Sequence, residues 1–366
     1  MLLVGWWLCL AREVPIPLAS APGDNCHLDG VDAGVCVPVR PPLSSFSPHV
    51  RCFPSFVIVG AMKAGTGVLM HLLNQHPLLV SGKGEDGSNE IHFFRSARHD
   101  AGPPWKGPFG EVTACSGDES WAYLSHFPSF SAGANLAQQH QKKTFDKSPD
   151  YMRSKASIAR LHAMLPSAKL VVLLRNPATR ALSEFKHNCR HGRYLRLPRE
   201  GSNGSSTAVV VHQADHVGTS SARLRLRYPC SLADFRHYYF SESSTPTTLS
   251  KRAEREASHG YYAQQLQWIL DEFDTRQVLV LFQEEMQAAT LQTCAQVERF
   301  VGVHPFRYRH TAGGSTSVPP RELSLLRQTR TDLEAIYRKH NQQLLRILAA
   351  HFNRTKLPAE WCAGGG

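Results

Sequence analysis

The chain has 366 residues, 42% of them hydrophobic and 19% charged, with a formal net charge of +11 at neutral pH. That composition can build one large α/β domain or two smaller ones, and it excludes a chain disordered over most of its length. The excess of positive charge favours an acidic partner, whether nucleotide, nucleic acid, anionic polysaccharide or membrane surface.

The first segment, Met1-Leu2-Leu3-Val4-Gly5-Trp6-Trp7-Leu8-Cys9-Leu10, is apolar but too short to span a bilayer as a helix. It reads either as the h-region of a signal peptide, with Ala19-Ser20-Ala21 as cleavage site, or as the remnant of a longer anchor. Entry into the secretory pathway is the expectation, either as a type II membrane protein anchored through the N-terminus or as a secreted one. Residues 1–50 are rich in Pro, Gly and Ser and read as leader and stem, with the domain proper covering 51–362. Cysteine usage agrees with an oxidising compartment. Of nine cysteines, eight remain once Cys9 is set aside, and no C-x-x-C pair offers a zinc site. Two N-x-[ST] sequons begin at Asn203 and Asn353.

Phe56-Val57-Ile58-Val59 runs into Gly60-Ala61-Met62-Lys63-Ala64-Gly65-Thr66-Gly67 and then into the amphipathic Val68-Leu69-Met70-His71-Leu72-Leu73. This is a buried strand, a tight loop and a helix start. Such a loop offers backbone N–H groups and a helix N-terminus to an anion, and Lys63 adds a full charge. In a Walker loop the lysine follows the last glycine and a hydroxyl stands beside it for magnesium. Here the lysine precedes Gly65 and no Gly-Lys-Ser/Thr follows, which points to phosphate binding without ATP hydrolysis.

Further along, Leu78 to Ser81 is apolar, and Asn89-Glu90-Ile91-His92-Phe93-Phe94 forms a compact mixed cluster. Thr144-Phe145-Asp146-Lys147-Ser148-Pro149-Asp150-Tyr151 ends a short strand, and a helix is predicted from about Lys155 to Met164. Ala168 to Leu174 is a second apolar strand, closed by Arg175-Asn176-Pro177 and a helix through Lys186. Residues 199–227 form a Ser/Gly/Thr-rich insertion bracketed by Cys189 and Cys230, which could be tied at its base by a disulfide. Helix Tyr261 to Glu272, strand Gln277 to Phe282 and helices Thr290 to Val301 and Leu323 to Phe352 complete the pattern. Apolar runs alternating with helices predict an α/β fold, a central parallel sheet flanked by helices on both faces. In such sheets ligands bind at the carboxyl ends of the strands, so the Lys63 loop, Lys147 and Arg175 should share one rim.

Lys-x-Gly-Thr after a first strand, with Arg175-Asn176-Pro177-Ala178-Thr179-Arg180-Ala181-Leu182-Ser183 after a later one, resembles the sulfotransferases. These have a P-loop-NTPase-like fold and use 3′-phosphoadenosine 5′-phosphosulfate as donor. The resemblance implies that Lys63, Ala64, Gly65, Thr66 and Gly67 hold the 5′-phosphosulfate and that Arg175 and Ser183 hold the 3′-phosphate. The Glu90 cluster, the Lys147 segment and Gly260-Tyr261-Tyr262-Ala263-Gln264-Gln265-Leu266 are similar to segments of the Golgi glycosaminoglycan branch. Together they imply a Golgi-lumenal enzyme with a polysaccharide acceptor, acidic or neutral, and no nucleic acid partner. The stretch 308–318 lacks the Lys-Gly-Arg loop of many heparan-type members, and the likeness leans to the N-acetylgalactosamine 4-sulfate 6-O-sulfotransferase group.

Sulfuryl transfer needs a cation where charge builds on the leaving oxygen and a base for the acceptor proton. Lys63 is the candidate cation, with Lys147 beside the donor sulfate or the acceptor. The resemblance implies Glu90 as base; His92 is the alternative, since imidazole titrates near neutrality. No metal is called for. Two competing readings are an inert binder of anionic glycans on the same fold and a P-loop kinase.

Overall fold

A computed structural model of the chain describes residues 32–39, 49–95, 119–131, 142–190, 232–240, 249–309 and 323–361. The leader up to residue 31, the 199–227 insertion, Cys230, Asn203 and residues 310–322 lie outside them.

Two sheets are present. Strands β1 (Cys36–Val39), β2 (His49–Cys52), β3 (Phe56–Gly60), β4 (Leu79–Ser81), β5 (Ser129–Ser131), β6 (Lys143–Lys147), β7 (Lys169–Leu174) and β8 (Val278–Phe282) follow one another in the chain. The larger sheet has the order β4-β6-β3-β7-β8, every neighbouring pair parallel. Phe56, Val57, Ile58 and Val59 of β3 and Leu170 to Leu174 of β7 are all fully buried. A parallel strand covered on both faces has no polar side, which explains the unbroken apolar runs.

The helices are α1 (Thr66–Leu73), α2 (Glu119–Leu124), α3 (Lys155–Met164), α4 (Pro177–Arg190), α5 (Leu232–Tyr239), α6 (Lys251–Ser258), α7 (Tyr262–Glu272), α8 (Gln283–Ala288), α9 (Thr290–Val301) and α10 (Leu323–Phe352). From β3 the chain crosses through α1 to β4 on one side, and from β6 through α3 to β7 on the other. Right-handed crossovers in opposite directions put α1 and α3 on opposite faces. In agreement, α1 packs on α9, whereas α3 packs on α7 and α7 on α10. The expected α/β architecture, a parallel sheet with helices on both faces, is therefore present.

Two described strands, β1 and β2, start upstream of residue 51. Strands β1, β2 and β5 form a small antiparallel sheet in which Cys36 lies opposite Cys52. These two cysteines are joined by a disulfide that closes a sequence separation of 16. Four-residue strands among prolines show no period long enough to read, and a covalent tie replaces the apolar face that would have announced them. Cys189 is also disulfide-bonded, while Cys294 is a free, buried thiol. Asn353, in the second sequon, is exposed and has φ 50° just beyond α10, a helix-end position that asparagine tolerates. Among the described residues no helix is long and apolar enough to cross a membrane.

Candidate active site

Two of the glycines, Gly60 and Gly65, shape the anion loop. A Cβ on Gly60 would lie 1.8 Å from Met152 Sδ, so only glycine lets β3 end this close to the 3₁₀ turn Tyr151–Arg153. Gly65 has φ 94° and is the N-cap of α1, with no side chain capping the helix. The first turn of a helix leaves its N–H groups without intrahelical partners. At α1 those donors, and the positive end of the helix dipole, face the end of β3. No acidic residue occupies that first turn. Ala64 and Thr66 are buried, Lys63 is half-buried and Gly67 is exposed. Lys63 itself has φ 65°, a conformation costly for a residue with a Cβ and one that gathers at ligand sites.

Lys147 ends β6, Lys63 follows β3 and Arg175 follows β7, and these three strands are adjacent in the order β6-β3-β7. The predicted rim exists. Arg175 Nη1 donates to the Lys63 carbonyl at 3.1 Å and its Nε donates to Thr179 Oγ1 at 3.1 Å. Part of the guanidinium thus braces the anion loop, and burial pulls its pKa below the usual arginine value. Asn176 is the cap of α4: its Oδ1 accepts from Ala178 N at 3.0 Å and Thr179 N at 3.2 Å. Ser183 is half-buried on α4, six residues beyond Pro177, about 9 Å further along the helix axis.

Glu90 stands at the centre of a line of charges. Lys147 Nζ donates to Glu90 Oε1 at 2.5 Å, and His92 Nε2 lies 3.2 Å from Glu90 Oε2. The other ring nitrogen, His92 Nδ1, is 2.9 Å from Asp150 Oδ1, whose second oxygen is 3.8 Å from Arg95 Nε. Side-chain exposure is 5% for Lys147, 9% for Asp150, 26% for His92 and 32% for Glu90, so Glu90 is the most open of the four. Burial opposes the charge of Glu90, but His92 and Lys147 outweigh it and hold the carboxyl at about 2. Burial likewise opposes a charged His92, yet Asp150 and Glu90 push it up to about 9. At neutral pH the imidazole is therefore a cation that donates on both sides, to Glu90 and to Asp150.

The two segments that carry Glu90 and Lys147 lock each other in place. Ser148 Oγ accepts from Ile91 N at 3.1 Å and His92 N at 2.9 Å, and donates to Asp146 Oδ1 at 2.7 Å. Asp146, fully buried, also accepts from the hydroxyls of Tyr123 and Tyr151, each at 3.0 Å. Burial pushes Asp146 up to about 6 even against those bonds. Phe93 and Phe94 pack on Tyr123, and Phe94 also on Tyr151. Ser148→Ala leaves the Ile91 and His92 amides without their acceptor in the interior. The expected cost is about 1–3 kcal/mol of stability in urea unfolding, together with a lower kcat as Glu90 loses its support.

The charged His92 also fixes a pH dependence of stability. Its folded pKa of about 9 lies above the 6.5 of an unperturbed imidazole, so its contribution is complete below about 6.5 and is lost as pH rises through about 9. Urea unfolding between those limits should show wild type losing stability relative to His92→Asn, a residue that accepts the positive φ.

The Gly260–Leu266 segment turns out to be a support. Tyr262, buried, donates its hydroxyl to the Arg175 carbonyl at 2.9 Å. A Cβ on Gly260 would come within 2.8 Å of both Pro177 Cβ and Tyr337 Cε1. Arg180, fully buried, is held by Glu184 Oε2 at 2.6 Å and the Glu256 carbonyl at 3.0 Å, inside the apolar cluster that joins α4 to α5, α6 and α10. The sequence reading assigned no role to Asp150, Tyr262 or Arg153. The acid after Ser148-Pro149 was the signal for Asp150.

Residues 54–214 match the model of the sulfotransferase family. The sulfotransferase match contains Lys63, Glu90, His92, Lys147, Arg175 and Ser183. The chain is 26% identical over 317 residues to human bifunctional heparan sulfate N-deacetylase/N-sulfotransferase 2, covering 81% of this chain and 29% of that protein. It is 32% identical over 187 residues to human heparan sulfate glucosamine 3-O-sulfotransferase 6, covering 50% of this chain and 45% of that one. Membrane-associated sulfotransferase kil1 of Dictyostelium discoideum is 29% identical over 193 residues, which is 53% of this chain and 33% of kil1. The chain thus spans less than half the length of these relatives. Among solved structures, a sulfotransferase from Alicyclobacillus acidocaldarius is similar with a TM-score of 0.48 and 23% identity, covering 84% of this chain and 98% of that one.

Proposed function

We propose that the chain is a sulfotransferase that moves a sulfuryl group from 3′-phosphoadenosine 5′-phosphosulfate to a hydroxyl of a glycosaminoglycan-type polysaccharide. The observation that carries this reading is the rim at the ends of β6, β3 and β7, where an uncapped helix N-terminus, Lys63 and Arg175 adjoin the Lys147–Glu90 pair. A donor with two separated anionic groups fits that arrangement. Lys63, Ala64, Gly65, Thr66 and Gly67 would hold the 5′-phosphosulfate through backbone donors and one ammonium. The free edge of Arg175, with Ser183, would hold the 3′-phosphate. When bound, the donor supplies the sulfuryl group and a phosphate as leaving group.

Glu90 takes the proton of the acceptor hydroxyl as the oxygen attacks sulfur, and Lys63 meets the charge left on the bridging oxygen. His92, held cationic by Asp150, orients the Glu90 carboxylate. Lys147 divides its ammonium between Glu90 and the incoming anions, so Glu90 gains basicity as the site fills. The names of the heparan sulfate relatives support a glycosaminoglycan acceptor, and the chondroitin-type likeness of the sequence supports the same broader class. The Cys36–Cys52 disulfide supports an oxidising compartment, which we take to be the Golgi lumen.

Calorimetric titration with adenosine 3′,5′-bisphosphate, in the presence of a chelator, tests the donor site. Saturable one-site binding is expected. Absence of binding by the folded full-length chain would remove the reading.

A further inference from the structure

Arg153 closes the 3₁₀ turn that follows β6, and no role at the rim accounts for it. Its Nη1 lies 2.7 Å from the Sδ of Met62, the residue beside Lys63 in the anion loop. Its Nε is sealed from solvent and has no hydrogen-bond partner. A thioether is a weak acceptor, and a guanidinium carries five donors in a fixed fork. Among the described residues no carboxylate pairs with Arg153 at ion-pair distance; Glu184 and Asp150 attract it, while Arg180 and Arg95 repel it. The neighbouring arginines are better served, Arg180 by Glu184 and Arg175 by Thr179 and the Lys63 carbonyl. Burying a cation without an anionic partner is costly unless a ligand completes it. Arg153 is thus a half-buried cation in contact with the anion loop and within the field of Glu184, Asp150 and His259.

We infer that Arg153 is a ligand-binding arginine that receives a phosphate or sulfate oxyanion beside Met62. The inference rests on the proposed sulfotransfer and deepens it, since it adds a fork-shaped oxyanion site to the Lys63 cradle. With Nε sealed, the edge formed by the two Nη groups is the one that can match two oxygens of one tetrahedral anion, a geometry that an ammonium does not reproduce. Two sources carry that chemistry: the phosphosulfate of the donor, and a sulfate ester already on the acceptor chain.

The test uses the full chain with Arg153→Met, and with Arg153→Gln as a second variant should the first not fold. Two quantities are read: the calorimetric Kd for adenosine 3′,5′-bisphosphate, and the ratio of kcat/KM on a sulfated polysaccharide to that on its chemically desulfated form. If the donor supplies the oxyanion, Kd rises about tenfold or more and the ratio holds. If the acceptor supplies it, Kd holds and the ratio falls by a similar factor. Both quantities staying within about twofold of wild type in a folded variant would overturn the inference and assign Arg153 to bracing the loop. Failure of wild type itself to bind the bisphosphate overturns the proposed function instead, so the two failures are distinct.

Discussion

Glu90→Gln lowers kcat by about 10²–10⁴-fold while the affinity for adenosine 3′,5′-bisphosphate is retained. The substitution keeps the size of the side chain but removes both its ability to accept a proton and the negative charge that Lys147 and His92 face. Glu90 belongs to the segment before α2, held by Ser148 and Asp150, and not to the loop that would hold the donor. Binding of the nucleotide product and the chemical step are therefore separable at this residue. Stability falls as well, by about 1–3 kcal/mol, because Lys147 stays buried against a neutral amide. Kinetics are to be measured well below the unfolding transition. His92→Asn, in contrast, leaves the carboxylate in place and should lower kcat less. Equal losses for the two variants would move the proton acceptor to the imidazole.

Lys63→Ala has the second large effect, and a different signature. It removes the ammonium that the proposed mechanism sets against the leaving oxygen, so kcat should fall by about 10²–10³-fold, with weaker bisphosphate binding in the same variant. The loop should survive the change. The Lys63 carbonyl that Arg175 grips is backbone, and alanine at φ 65° bears the same steric cost that lysine already bears. Joint loss of turnover and nucleotide affinity, set against the turnover-only loss of Glu90→Gln, distinguishes the cation of the cradle from the base opposite it. Unchanged binding by folded Lys63→Ala would place the donor elsewhere.

Most of the large sheet is legible in the residues. β3 and β7 are buried on both faces, so their apolar runs are uninterrupted, and the α3, α9 and α10 spans agree with the expected ones because each is bounded by turn residues or a cap. The rim was legible for the same reason: a charged residue directly after an apolar parallel strand has one place to go. What could not be read is pairing across distance. Asp150 meets His92 only because Ser148 pins residues 91 and 92, and Tyr262 meets the Arg175 carbonyl only because Gly260 admits Pro177 and Tyr337 so closely. The small sheet was missed because four-residue strands joined by Cys36–Cys52 carry no periodic signal. The paired charges of Glu90 and His92 also change the weighing of the base. A lone histidine reads as a neutral-pH base, whereas this one, between Asp150 and Glu90, is held charged to about pH 9.

Transfer of labelled sulfate from 3′-phosphoadenosine 5′-phosphosulfate is the most direct test of sulfuryl transfer onto polysaccharide. The acceptor panel should include heparan-type and chondroitin-type chains in sulfated and desulfated forms, with a chelator present. Wild type should place label on at least one polysaccharide in a donor-dependent manner, and Glu90→Gln should place none above background. A wild-type chain that binds the bisphosphate yet labels no polysaccharide would contradict the claim and favour a glycan-binding protein on the same fold.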